Sequence, residues 1–298
     1  MHSSKVSASV GRQKWALSAL VLGGVAIGFS PIFVRLSEIG PITTGFWRLA
    51  LALLPLLLWF GASHERSAQG VRPRRLSDHF AAALPGVFLA GDIMFWHISL
   101  TMTSVANATL LVNMTPIFVT LGSWIFFRRL PSRVFLIGLA ASVAGVVILK
   151  GGPMAIGEGS LQGDLVALMS AALYGGYILL LGRLRSRFST MIVMLWSTAS
   201  AALVLLPLAL IFEPRFVPLA AAGWLVLLAL AWVSQVGGQG LIAFALAWLS
   251  PAFSALTLLI QPIVAAILAW VLLNEPLGPM QIVGGLIVLA GIWIARRG

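Results

Sequence analysis

Along the chain, apolar residues come in runs near 20 long, divided by short breaks rich in charge, proline or glycine. A helix rises about 1.5 Å per residue, so a run of about 20 crosses roughly 30 Å of hydrocarbon. Ten such segments can be marked, at 15–34, 41–60, 80–101, 104–127, 132–149, 163–182, 189–212, 218–247, 250–273 and 276–295. A transmembrane barrel would need alternating stretches of about 10 residues, and these runs do not alternate. The pattern predicts an all-α integral membrane protein with ten transmembrane helices. The eighth segment is too long for a straight crossing, so it is expected to tilt or to break at Gly237-Gly238.

Composition agrees with the pattern. Of 298 residues, 60% are hydrophobic and only 9% are charged, against roughly 45–50% and about 25% in a soluble domain. The net charge of +11 would suggest nucleic acid in a soluble protein, but here the basic residues read as loop anchors and no nucleic-acid partner is expected. Fifteen Lys and Arg fall in one alternating set of connections and termini, from Lys5 to Arg297, and three (Arg35, Lys150 and Arg215) in the other. That bias puts both termini in the cytoplasm. The absence of cysteine removes disulfides and thiolate chemistry. The basic stretch 1–14 reads as a cytoplasmic tail before a retained first span, since no small-residue cleavage site follows.

Comparing the chain with itself reveals a repeat. A shift of 146 lays Pro116 on Pro262, Trp124 on Trp270, Gly138 on Gly284 and Gly145 on Gly291. A shift of 152 lays Gly23-Gly24 on Gly175-Gly176 and Leu53-Leu54-Pro55 on Leu205-Leu206-Pro207. The halves are then 15–150 and 151–298, five helices each. An odd number of crossings inverts the second copy, the arrangement of secondary transporters whose substrate site lies near mid-membrane between the halves.

The stretch Asn274-Glu275-Pro276, with Gln281, Gly284, Gly285 and Gly291, resembles the carboxyl-terminal signature of EamA repeats in the drug/metabolite transporter superfamily. Trp47-Arg48-Leu49 resembles the aromatic-Arg motif of that family. The resemblance covers essentially the whole chain and, at finer resolution, extends to the superfamily's aromatic amino acid exporters. It implies efflux of amino acids or related metabolites across a bacterial inner membrane. Arg129 stands in the first copy where Glu275 stands in the second, so no symmetric role for that glutamate follows.

Candidate site residues are the polar groups at mid-span. Asp92 lies about 12 residues into the third segment. A charge there costs at least roughly 2.5–3.5 kcal/mol and needs a cavity or a partner. It reads as a substrate-ammonium contact, a protonatable group, or a structural partner of Arg48. Trp96 and Ser99 follow on its face; Trp96 suits an aromatic or cationic substrate or, equally, lipid. His97 points elsewhere and reads as an interhelical hydrogen bond. Asn113, Thr257 and Gln261 offer polar groups on the fourth and ninth segments, while Tyr174 and Tyr177 flank Gly175-Gly176. Gln235 and Gln239, one turn apart beside Gly237, Gly238 and Gly240, suit a cavity wall, and Gly24-x-x-x-Gly28 suits close packing. Pro116 and Pro262 are expected to kink their helices, as hinges or static bends, freeing the carbonyls of Val112 and Leu258. Arg48 reads as a structural charge, and Glu275 as the cap of the last helix.

These features favour a carrier of an amino-acid-like small molecule, with Asp92 at an ammonium group and Asn113, Gln235 or Gln261 at a carboxylate. Other readings are a carrier of a cationic organic compound or sugar derivative and, further off, an intramembrane enzyme, for which no serine, paired-aspartate or His-Glu-x-x-His motif is present. The four histidines are scattered and suggest no metal or cofactor. Protons are a candidate coupling ion through a buried carboxylate, alongside downhill leak; no oligomeric state is indicated.

Overall fold

Apolar runs must hide every backbone polar group inside themselves in lipid, and the chain does so by winding into helices throughout. The computed structural model describes residues 2–62, 73–103, 105–149, 160–273 and 278–298. Every secondary-structure element among them is helical. The first expected segment is α1 (His2–Gly28) followed by α2 (Ser30–Arg35), the second α3 (Pro41–Ala62) and the third α4 (Leu76–Met102). The fourth divides into α5 (Val105–Val112) and α6 (Thr115–Phe127); the fifth is α7 (Arg133–Leu149). Then come α8 (Leu161–Arg185) and α9 (Thr190–Phe212). The eighth is α10 (Ala221–Ala229), a π-helix (Leu230–Gln239) and α11 (Gly240–Ala245); the ninth is α12 (Pro251–Thr257) and α13 (Ile260–Leu273), and α14 (Pro279–Ala295) ends the chain. Eight of these runs are long and apolar enough to cross a membrane. The other two, α7 and α14, have 17 residues each, the lower edge of spanning length. The residues expected as a polar tail are wound into α1 from His2 onward.

Two expectations about helix interiors are corrected, the freed carbonyls and the break at Gly237-Gly238. At Pro116 and Pro262 the helix is interrupted just before the ring, at 113–114 and 258–259. The fourth and ninth segments stop before them, and each proline lies in the first turn of a new helix, where its missing N–H costs nothing. The carbonyls expected to be freed are partnered. Thr115 Oγ1 donates to Val112 O at 2.8 Å, and Gln261 N donates to Leu258 O at 2.9 Å. Gly237-Gly238 does not break the eighth segment, because the backbone runs through it as a ten-residue π-helix. Its buried positions recur every four residues (Leu230–Ala231, Ser234–Gln235, Gly238–Gln239). Gly238 is there for close approach: a Cβ would meet Ile27 Cγ1 at 2.6 Å, and one on Gly23 would meet Gly238 O at 2.9 Å. Gly24 and Gly28 likewise seat α1 against Ile260 and Val264 of α13.

The packing follows a pattern of exchanged neighbours. The third segment packs on the sixth and seventh, and the eighth on the first and second; the fourth packs on the sixth, and the ninth on the first. The second and seventh, fourth and ninth, and fifth and tenth pair directly. In the last pair Gly138 meets Gly291, Gly145 meets Gly284, and Ser142 Oγ donates to Val288 O at 3.4 Å. Where α4 begins, Asp78 Oδ2 accepts from the N–H groups of Arg74 and Arg75, both at 3.3 Å, and its Oδ1 pairs with Arg187 Nη2 at 2.9 Å.

A methyl at Gly284 would strike Leu149 N and lie 2.7 Å from Gly145 O, backbone atoms that cannot rotate aside. Gly284→Ala should therefore destabilise the protein by about 1–3 kcal/mol. At Gly240 no atom lies within 4 Å of such a methyl. Gly240→Ala should be neutral or gain up to about 1 kcal/mol of helix propensity. Thermal unfolding midpoints in one detergent check both.

Candidate functional site

The middle of the bundle gathers polar side chains from six segments. Asp92 of α4 is half-buried, and Ser170 Oγ of α8 donates to its Oδ1 at 2.6 Å. One and two turns further along α8, at spacings of four and seven, come Tyr174 and Tyr177. Their rings stack with centroids 5.8 Å apart and an interplanar angle of 19°. Tyr177 is fully buried and Tyr174 half-buried. Gln239 of the π-helix bridges the two hydroxyls. Tyr177 Oη donates to its Oε1 and its Nε2 donates to Tyr174 Oη, each at 3.4 Å. Gln261, half-buried in the first turn of α13, reaches Tyr174 from the other side.

One turn earlier on the π-helix, Gln235 is also spent at both ends of its amide. Arg48 Nε of α3 donates to Oε1 at 3.0 Å, and Nε2 donates to Thr198 Oγ1 of α9 at 3.4 Å. Gln235 is 0% exposed, whereas Arg48 stays half-buried and partly accessible. Among the described residues Arg48 and Asp92 form no ion pair, yet each acts electrostatically on the other and on both tyrosines. Trp96 and His97 lie beyond Asp92 on α4, their rings 5.1 Å apart. Trp96 Nε1 and both His97 nitrogens are buried with no hydrogen-bond partner, so the interhelical bond expected of His97 is not made.

The structure thus joins Asp92, Tyr174, Tyr177, Gln235, Gln239 and Gln261. It turns Ser99 and Thr257 elsewhere: both are buried, and they donate to carbonyls of their own helices, Trp96 O at 2.6 Å and Phe253 O at 2.9 Å. Asn113 is half-buried at the α5–α6 junction. Glu275 lies outside the described residues. Ser170 was missed, although its position four before Tyr174 marks the same face. Thr198 carries no signal that sets it apart from neighbouring hydroxyls. Among the described residues no three His, Asp or Glu side chains gather as metal ligands.

The two ends of the bundle differ. At one end a cavity of about 810 Å³ opens among Arg129, Arg183 and Arg296 and reaches inward to Thr120 and Leu179. The opposite end is stitched. The Glu213 carboxylate accepts the N–H groups of Ile42 and Thr43, both at 2.8 Å, capping α3. Glu38 Oε2 accepts those of Leu219 and Ala220, at 3.1 and 3.2 Å, just before α10. Trp47 Nε1 donates to Phe216 O at 2.7 Å, and Phe46, Trp47, Phe216 and Trp224 pack ring to ring at 5.0–5.5 Å.

Known proteins resemble this chain over nearly its full length. A protein solved by crystallography aligns over 96% of this chain and 97% of its own with a TM-score of 0.75 at 16% identity, a likeness of fold. An uncharacterized transporter of Archaeoglobus fulgidus is 26% identical over 290 residues, 94% of each chain. The pseudopaline exporter CntI of Pseudomonas aeruginosa is 30% identical over 254 residues, 84% of each. A probable terminal-alkyne amino-acid exporter of Streptantibioticus cattleyicolor is 28% identical over 294 residues, 95% of this chain and 93% of its own. The model of the EamA-like transporter family matches residues 14–150 and 161–297. With that match over most of its length, this multi-span membrane protein belongs to the EamA-like transporter family.

Proposed function

We infer that the protein exports amino-acid-like metabolites, aromatic or neutral, across a bacterial inner membrane by alternating access. It does so as ten transmembrane helices in two inverted halves, with both termini cytoplasmic. The observation that carries this reading is the central cluster: an acid, a base, two stacked tyrosines and three glutamines converge from both halves where two helices are interrupted. Such a mix suits a zwitterion with an apolar side chain and has no role in lipid. Relatives named as exporters of pseudopaline and of an amino acid support the direction and the substrate class.

The inverted repeat is supported by the exchanged neighbour pairs and by the crossed contacts Gly138–Gly291 and Gly145–Gly284, which a two-fold relation between the halves requires. Alternating access is supported by the contrast between the ends. The arginine-rich cavity takes the cytoplasmic side on the charge bias, so the conformation described is open inward and sealed outward. Rocking about the α5–α6 and α12–α13 junctions opens the seal and closes the cavity.

Counterflow tests the function. Liposomes preloaded with phenylalanine should transiently accumulate labelled phenylalanine, and labelled lysine, glutamate or a nucleotide-sugar should not accumulate. Accumulation of a control solute instead would keep a carrier and discard this substrate class. The conformational reading is open to thiol labelling, because the chain has no cysteine of its own. Ser123→Cys, on the cavity wall, should react with an impermeant maleimide from the cytoplasmic side. Thr43→Cys, 0% exposed under the seal, should not react from outside. Adding Glu213→Ala removes two charge-assisted hydrogen bonds and should raise labelling at Thr43→Cys on the order of 10-fold. Labelling of Ser123→Cys from outside alone would reverse the orientation.

A further inference from the structure

A carboxyl group and a guanidinium group share the centre of the bundle without pairing. A carboxylate and a guanidinium attract strongly in a low-dielectric interior, and a direct pair is what purely structural charges would form. Here each is turned to a neutral partner instead: Asp92 to Ser170 at 2.6 Å and Arg48 to Gln235 at 3.0 Å. No ion pair within 4 Å joins them among the described residues. The gap is built in, because Ser170 and Gln235 sit on different helices and each holds its charge in place.

Gln235 itself is closed to a ligand by its burial. It is 0% exposed, with Oε1 taken by Arg48 and Nε2 given to Thr198. The carboxylate of a solute therefore cannot be assigned to this amide. Arg48 differs. Its Nε is held by Gln235, its side chain remains partly accessible, and the far edge of a guanidinium is a two-donor fork that matches a carboxylate. Asp92 has a second oxygen to offer an ammonium group. The rings of Tyr174 and Tyr177, one and two turns along α8 from Ser170, stack on each other.

We propose that Arg48 is the carboxylate anchor of the central site, that Gln235 is the positioning residue that aims it, and that the site therefore selects solutes carrying both a carboxylate and an ammonium group. The proposal rests on the carrier reading above and supplies what sets its specificity.

The test is binding of three probes to the purified full-length protein: phenylalanine, phenethylamine (no carboxylate) and 3-phenylpropionate (no ammonium). Phenylalanine should bind tighter than either analogue on the order of 10- to 100-fold, the value of a charge-assisted contact. Arg48→Gln should collapse the gap to phenethylamine to about 1–3-fold and leave the gap to 3-phenylpropionate open. Asp92→Asn should do the reverse. Arg48→Lys, which keeps the charge without the fork, should give an intermediate ratio, and so should Gln235→Leu, which frees the fork to swing. A merely structural arginine would weaken all three probes in proportion and leave every ratio unmoved, which overturns the proposal. Wild-type ratios near one, or no binding of phenylalanine, overturn it as well. Should Arg48→Gln fail to fold, the wild-type, Arg48→Lys and Gln235→Leu ratios decide. Counterflow separates the two readings: a control solute that accumulates while the ratios stay near one leaves the carrier and removes the anchor. Preserved ratios with no counterflow of any solute remove the carrier and leave the anchor.

Discussion

In hydrocarbon a backbone N–H or C=O has no water to turn to, and each one left alone costs several kcal/mol. This constraint explains more of the structure than any side-chain contact. It dictates helix everywhere, and it decides what happens where helix is impossible. At Pro116 and Pro262 the chain could not bond across the ring, so it ends one helix and begins another, and a threonine hydroxyl or a near backbone N–H takes up the stranded carbonyl. In the eighth segment the same demand is met by widening the winding to i→i+5, which keeps the bonds and lets Gly238 press against Gly23. Three of these irregular stretches, at α5–α6, in the π-helix and at α12–α13, carry or adjoin polar side chains: Asn113, Gln235, Gln239 and Gln261.

Much of this was legible from the residues. Runs of apolar positions mark all ten segments, because burial in lipid leaves no choice of period. The central aspartate, both tyrosines and three glutamines stood out because a polar group at mid-span needs a reason. Other details had no signature. Arg48 and Gln235 are 187 positions apart, and nothing local says that the amide of one holds the guanidinium of the other. The π-helix is a response to packing on α1, so the Gly-Gly pair reads equally well as a break. Ser99 and Thr257 were placed by helical face alone, yet a helical hydroxyl has its own carbonyl within reach three or four residues back and takes it when nothing better is near.

The site shows a division of labour between side chains that hold and side chains that meet. Gln235 is held by Thr198 and holds Arg48, Ser170 holds Asp92, and Gln239 bridges the tyrosines, so the acid and the base are each fixed by a neutral partner. Half-buried Arg48, Asp92, Tyr174 and Gln261 are the accessible remainder. Sorting the cluster this way moves the weight of recognition from amides to charges.

The stitched end carries a further consequence. Its donors are the N–H groups of Ile42, Thr43, Leu219 and Ala220, and these belong to the backbone, so no replacement at those four positions other than proline can delete them. Their acceptors are only two carboxylates, Glu38 and Glu213, each reaching across to the start of a helix in the other half. In the alternating-access carrier proposed above, the set point between the two orientations then rests on a pair of codons far from the central cluster, where trading length or charge retunes how long the sealed end stays shut.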